Sequence, residues 1–152
     1  MSAAATPQVL SHRLVTRAEL AQLSQLTAWA EEFAQRRDLP PSLSFAIQLC
    51  IEEAVANIIM YSGAAQSRQE IAVELVMDRG DLLAIIEDGG APFDPTAAPP
   101  RVRPSSIDDA PIGQLGIHLM RNYASEMRYE RRDGRNRLTL RFQPSPAAAE
   151  RA

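Results

Sequence analysis

The chain has 152 residues, 45% hydrophobic and 23% charged, which suits one globular domain with a sizeable core. Its formal net charge is −3 and every basic residue is arginine. A sequence-independent grip on nucleic acid is therefore not expected, and no lysine exists to hold phosphate or form a Schiff base. The single cysteine, Cys50, excludes an intrachain disulfide or cysteine-cluster metal site and reads as a small core residue. Met1 to Pro7 lacks the basic and apolar regions of a secretory signal, and no apolar stretch is expected to span a bilayer, so a cytoplasmic protein is expected.

Taken in order, Val9 to Val15 alternates as a strand, with Leu10, His12 and Leu14 on one side. Thr16-Arg17-Ala18-Glu19 has the form of a capping box. It predicts a helix carrying Leu20, Leu23, Leu26, Ala30 and Phe33 at helical spacing, broken at Leu39-Pro40-Pro41. A second, central helix is predicted from Ser42 to about Tyr61, ending at Ser62-Gly63. The period then changes to two. Ile71, Val73, Leu75 and Met77 mark a half-buried strand, Asp78-Arg79-Gly80-Asp81 a turn, and Leu82 to Glu87 the returning strand. The segment from Ala91 to Pro111 holds six of the eleven prolines and reads as a long functional or disordered loop. An apolar helical run through Ile117, Leu119, Met120 and Tyr123 follows. Met127 and Tyr129 then lie on a fourth strand, Asp133-Gly134 marks a turn, and Leu138, Leu140 and Phe142 alternate on a last strand. Two helices followed by a hairpin are not repeated βαβ units. The expected fold is α+β, a two-layer sandwich with helices on one face of a mostly antiparallel sheet.

Three polar stations interrupt this apolar framework. Glu53 and Asn57, four residues apart on the central helix, share one face. Their bland reading is that they cap neighbouring strands or face water. Asp88, with Gly90 just beyond it, ends a buried strand, where a carboxylate can accept the exocyclic N–H of adenine. Gly113 and Gly116, with Leu115 between them, open a helix whose N–H groups and dipole suit phosphate oxygens. Asn57 can ligate Mg²⁺ through its oxygen, and Glu53 beside it can act as a general base. Each station alone is weak; their order and spacing together are specific.

These stations resemble the N-box and glycine boxes of the gyrase/histidine-kinase (GHKL) ATP-binding superfamily. More closely, the chain resembles the small anti-sigma-factor serine/threonine protein kinases of bacterial partner-switching systems. The motifs that carry the resemblance are Glu53-Ala54-Val55-Ala56-Asn57, Asp88-Gly89-Gly90-Ala91-Pro92-Phe93-Asp94-Pro95 and Gly113-Gln114-Leu115-Gly116-Ile117-His118-Leu119-Met120-Arg121. The ending Tyr129-Glu130-Arg131 with Asn136-Arg137-Leu138-Thr139-Leu140 adds to it. The resemblance implies a kinase domain over residues 8–142, between a disordered N-terminus at 1–7 and a disordered tail at 143–152. It makes Glu53 the catalytic base, Asn57 the Mg²⁺ ligand, Asp88 the adenine-recognising carboxylate and 91–112 an ATP lid. Asn136 is placed near adenine through a water.

It also implies ATP and Mg²⁺ as cofactors, a STAS-domain antagonist as substrate, a sequestered sigma factor or comparable regulator, and a homodimer. Two positions depart from the pattern: Tyr61 stands where a histidine is frequent, and Gln114 where a further glycine is common. The alternative reading is a nucleotide-gated module acting by sequestration alone. A sensor histidine kinase is disfavoured, because no helical dimerisation region with an acceptor histidine is present. Arg101 and Arg103 are lid candidates for the γ-phosphate, His118 reads as a packing or surface residue, and Glu52 as solvent-facing. The six arginines from Arg128 to Arg141 read as the solvated face of a hairpin.

Overall fold

The computed structural model describes residues 11–61, 63, 69–97 and 114–143. Strand β1 (Ser11–Arg17) is followed by a short 3-10 turn, Leu20–Gln22, and helices α1 (Leu23–Arg36) and α2 (Pro41–Tyr61). The hairpin β2 (Glu70–Asp78) and β3 (Asp81–Asp88) comes next, then helix α3 (Gln114–Tyr123) and the hairpin β4 (Glu126–Arg132) and β5 (Arg135–Phe142). The five strands lie in the order β1-β2-β3-β5-β4. Every neighbouring pair is antiparallel, which sharpens the expected mostly antiparallel sheet.

Register decides which side chains meet the helices. Val73, Ile86, Leu138 and Tyr129 form one cross-strand row, and Leu75, Ala84, Leu140 and Met127 the next. This face carries the buried Ile71, Val73, Leu75, Leu82, Ile86, Leu140 and Phe142. Helix α2 covers it with Ile47, Cys50, Ile51, Ala54, Val55 and Ile58. Helix α1 contributes Leu26, Ala30 and Phe33, and α3 contributes Ile117 and Met120, so α2 is flanked on both sides. The opposite face carries ion pairs such as Arg137–Glu87 at 3.2 Å and Arg141–Asp81 at 2.8 Å. Such solvated pairs contribute about 0–1 kcal/mol each and mainly keep that face wet.

Local chemistry explains the element ends, with one correction. Thr16 is buried in β1, paired opposite Ile71, rather than capping a helix. Its hydroxyl donates to Gln22 Oε1 at 3.5 Å, and Glu19 precedes the 3-10 turn without a side-chain cap. Sheet pairing through Arg17 won because each ladder position satisfies backbone groups that a cap satisfies only one at a time. Helix α1 ends in a Schellman motif: Asp38 adopts φ +51°, and the Leu39 N–H reaches Ala34 O at 3.0 Å. Pro41, whose missing N–H costs nothing in a first turn, begins α2.

The expectation that no segment is apolar enough for a bilayer also needs correction. The 21 residues of α2 are long and apolar enough to cross one by length and composition, yet half of the most apolar window is buried inside the protein. A helix covered by a sheet and two other helices becomes apolar almost all round for that reason. The terminal segments expected to be disordered, and the lid beyond Ala97, lie outside the described residues.

Candidate nucleotide site

The site lies where the ends of β3 and β5 meet the middle of α2. Antiparallel register sets Asp88 directly opposite Asn136. Both side chains are buried, at 1% and 4% exposure, on the face that α2 covers. Asn57 projects toward them from α2 and is 4% exposed. Between these three lies a small pocket. Ile58, Ile86, Phe93, Met120 and Leu138 form its apolar walls, and Asn57, Asp88, Tyr129 and Asn136 its polar points. Apolar walls with a few convergent polar groups are what a flat heteroaromatic ring requires.

The polar groups are unequally satisfied. Asp88 Oδ2 accepts hydrogen bonds from the Gly90 N–H at 2.8 Å and from Asn136 Nδ2 at 3.2 Å. Asn136 Nδ2 also reaches the Ala91 carbonyl at 2.9 Å, while Asn136 Oδ1 accepts from Tyr129 Oη at 2.5 Å and Arg131 Nη1 at 2.9 Å. Asn57 Nδ2, by contrast, finds no partner in the protein among the described residues. A buried unsatisfied amide costs about 1–3 kcal/mol, so the carboxamide keeps unused capacity for something that enters the pocket.

Glu53 sits one helical turn before Asn57 and turns toward the first turns of α3. A Cβ built on Gly116 would run into the Glu53 carboxylate. Glycine at 116 is therefore a condition for this close approach, despite its cost of about 0.5–1 kcal/mol relative to alanine within a helix. Burial raises the Glu53 pKa above the usual carboxylate range, and the neighbouring Glu52 carboxylate raises it further. The helix thus separates two adjacent acids: Glu52 is exposed, and Glu53 is half-buried beside the pocket.

The remaining sequence candidates divide clearly. Gly90 joins the site through its bond to Asp88. Leu115 is 48% exposed on α3 and does not line the pocket. Gly113, Arg101 and Arg103 lie outside the described residues. His118 contacts Asn122 on the surface at 3.2 Å, in keeping with its expected surface role. Tyr61 stacks on Phe93 with ring centroids 5.8 Å apart, so it fastens the segment after β3 to the end of α2. Cys50 is fully buried, and its thiol is pushed up to about 12, as an inert core residue should be.

Two residues escaped the sequence reading. Both stand in the ending motif of the resemblance without a site role: Tyr129 was read as a strand residue, and Arg131 was counted with the solvated arginines. Arg131 in fact shares the helix-covered face with Tyr129 and donates to the Gly90 carbonyl at 3.0 Å. The available signal was parity: residues 127, 129 and 131 alternate together, opposite to 128 and 132.

The sequence profile of the histidine kinase-like ATPase domain matches residues 16–142. The chain belongs to the histidine kinase-like ATPase domain family. Serine/threonine-protein kinase BtrW of Bordetella bronchiseptica is 38% identical over 120 residues, covering 78% of this chain and 83% of that relative. Among solved structures, the RsbU and RsbW domains of a Mycobacterium tuberculosis protein superpose with TM-score 0.60 at 18% identity, over 88% of this chain and 32% of that one. The histidine kinase domain of an Erythrobacter litoralis blue-light activated histidine kinase gives TM-score 0.54 at 12% identity, over 86% of this chain and 63% of that one. At these identities the two structures show the shared α+β fold. This chain spans about a third of the first and less than two thirds of the second. In this histidine kinase-like ATPase domain the pocket between α2, β3 and β5 combines apolar walls with a few polar points.

Proposed function

We propose that this chain is an ATP-dependent serine/threonine protein kinase of a bacterial partner-switching system. Its substrate would be a hydroxyl on a STAS-domain antagonist, and its second role the sequestration of a sigma factor or comparable regulator. The observation that carries this reading is Glu53. It is a partly desolvated carboxylate of raised proton affinity, one turn from Asn57 and against Gly116. A base of raised pKa is better matched to taking a proton near neutrality. The 38% identity to a protein named as a serine/threonine kinase supports the same reaction class.

In this reading Asp88 accepts a hydrogen bond from the exocyclic amine of adenine, and the N–H groups that open α3 meet the phosphate oxygens. The serine or threonine oxygen of the antagonist attacks the γ-phosphorus in line and the bond to the β-phosphate oxygen breaks. The hydroxyl proton passes to the Glu53 carboxylate, and ADP leaves. Asn57 would hold Mg²⁺ through its amide oxygen; that ion supplies charge neutralisation at the phosphates. One protein ligand suits Mg²⁺, which keeps waters and substrate phosphates in its shell. The unpartnered atom is Asn57 Nδ2, a donor, which would suit a phosphate oxygen of the same ligand. Homodimerisation and a cytoplasmic location belong to the same reading, and β1 is an edge strand of the sheet among the described residues.

Incubation with γ-labelled ATP, Mg²⁺ and a panel of STAS-domain proteins tests the reaction. Label is expected on a serine or threonine of one antagonist, with Glu53→Gln slowing transfer by about 10²–10⁴-fold while ATP still binds. Undiminished transfer in that variant would remove Glu53 from the chemistry. Partner capture with no labelled antagonist would favour the sequestration-only module.

A further inference from the structure

Asp88, Asn136 and Arg131 form a single row across three strands, because Asp88 lies opposite Asn136 in the β3–β5 register and Arg131 opposite Asn136 in the β4–β5 register. Their hydrogen bonds are not interchangeable. Among the described residues Asn136 Oδ1 accepts from the Tyr129 hydroxyl and the Arg131 guanidinium, and a guanidinium can only donate. Asn136 Nδ2 meets only acceptors: the Asp88 carboxylate at 3.2 Å and the carbonyls of Gly90 and Ala91 at 3.4 and 2.9 Å. A flipped amide would set its oxygen against a carboxylate and its NH₂ against a guanidinium. The orientation is thus dictated by its neighbours.

This fixed amide has a consequence for Asp88. Both hydrogen bonds that Asp88 accepts among the described residues land on Oδ2, from Gly90 N–H and Asn136 Nδ2. Oδ1 of the same buried carboxylate accepts neither of them, and no cation is paired with Asp88 among the described residues. A buried carboxylate with one oxygen saturated and the other bare favours a ligand that donates and repels one that accepts. Arg131 Nη1 also holds the Gly90 carbonyl at 3.0 Å, so the residue whose N–H donates to Oδ2 is fixed through its following peptide as well.

We propose that Tyr129 and Arg131 are positioning residues for nucleobase selection: through Asn136 and Gly90 they hold Asp88 with one oxygen reserved for a ring amine. The inference rests on the nucleotide-binding reading above and adds the residues that set its selectivity.

Isothermal titration of the full chain with Mg²⁺ and either ATP or purine riboside triphosphate, which lacks the 6-amino group, tests it. The wild-type protein is expected to prefer ATP about ten- to hundredfold, the range for one hydrogen bond to a charged group. In Tyr129→Phe and Arg131→Ala that preference should shrink at least threefold, because ATP binding weakens more than binding of the analogue. A merely structural role would weaken both ligands alike and leave the ratio unchanged, which would overturn the proposal. Tyr129→Phe removes one oxygen atom and keeps the test decisive if Arg131→Ala does not fold. Wild-type protein that binds neither nucleotide would overturn the nucleotide reading as well. Preserved wild-type preference with unchanged ratios in both variants would overturn the positioning role alone.

Discussion

At the scale of single residues, Glu53 and Asn57 each carry a cost in stability, and both costs are measurable. The folded-state pKa of Glu53 is raised by burial and by Glu52. The folded protein therefore binds this proton more tightly than the unfolded chain, and stability falls as pH rises from the ordinary carboxylate pKa through the raised one. Glu53→Gln should accordingly melt at a higher temperature than wild type at neutral pH. The advantage should vanish below the ordinary carboxylate range, where both states of the wild type are protonated. An equal advantage at both pH values would mean that Glu53 is not desolvated. Asn57 makes the parallel case with a neutral group, since its buried Nδ2 has no partner. Asn57→Leu, close in shape, should stabilise the ligand-free protein by about 1–3 kcal/mol. It should also remove Mg²⁺-dependent ATP binding, read by calorimetry on the same sample.

At the scale of elements, the hairpins decide where the site falls, because turn geometry sets strand register and register sets which side chains share a face. Arg79 and Gly80, at φ +52° and +87°, form the two-residue connection of β2 to β3, and Asp133 and Gly134, at +53° and +74°, that of β4 to β5. Paired positive φ angles match the right-handed twist of the strands they join. Nothing lies within 4 Å of a Cβ placed on Gly80, so alanine there meets no clash and tests backbone strain alone. Gly80→Ala should cost about 1–2 kcal/mol, seen as a lower urea midpoint at unchanged slope. Helix α2 presents the opposite situation, in that its hydrophobic coat is set by burial. That apolar coat is interrupted where Glu53 and Asn57 stand.

At the scale of the molecule, a helical layer on one face of an antiparallel sheet leaves the proposed nucleotide pocket at one end of the layer interface. Ligand bound there contacts α2, β3, β5 and the segment after β3 together, so it should stabilise the whole domain. Mg²⁺-ATP at about a hundred times its dissociation constant should add about 2.7 kcal/mol to unfolding stability. Differential scanning calorimetry with and without nucleotide would measure the shift in Tm. No shift at millimolar ATP would speak against a nucleotide site in this pocket.

Much of this was legible in the sequence, and the limit has one physical origin. Element order, the apolar faces of α2 and the strands, the turn at Gly80, and the stations Glu53–Asn57, Asp88–Gly90 and Gly116 follow from periodicity and local backbone chemistry. Those signals act within a few residues of the chain. Thr16 misled because a capping box is also local, whereas its true fate was set by pairing with Ile71 far along the chain. Asn136 was placed at the site, but its direct bond to Asp88 depended on β3–β5 register. Arg131, one of a run of arginines, was separated from the others only by which face of β4 it occupies. The sequence by itself determined which residues are chemically capable of holding a nucleotide. Only the tertiary structure decided which oxygen of Asp88 is occupied, which arginine reaches the Gly90 carbonyl and which side chain approaches Gly116. Those outcomes depend on contacts between segments that the chain brings together only on folding.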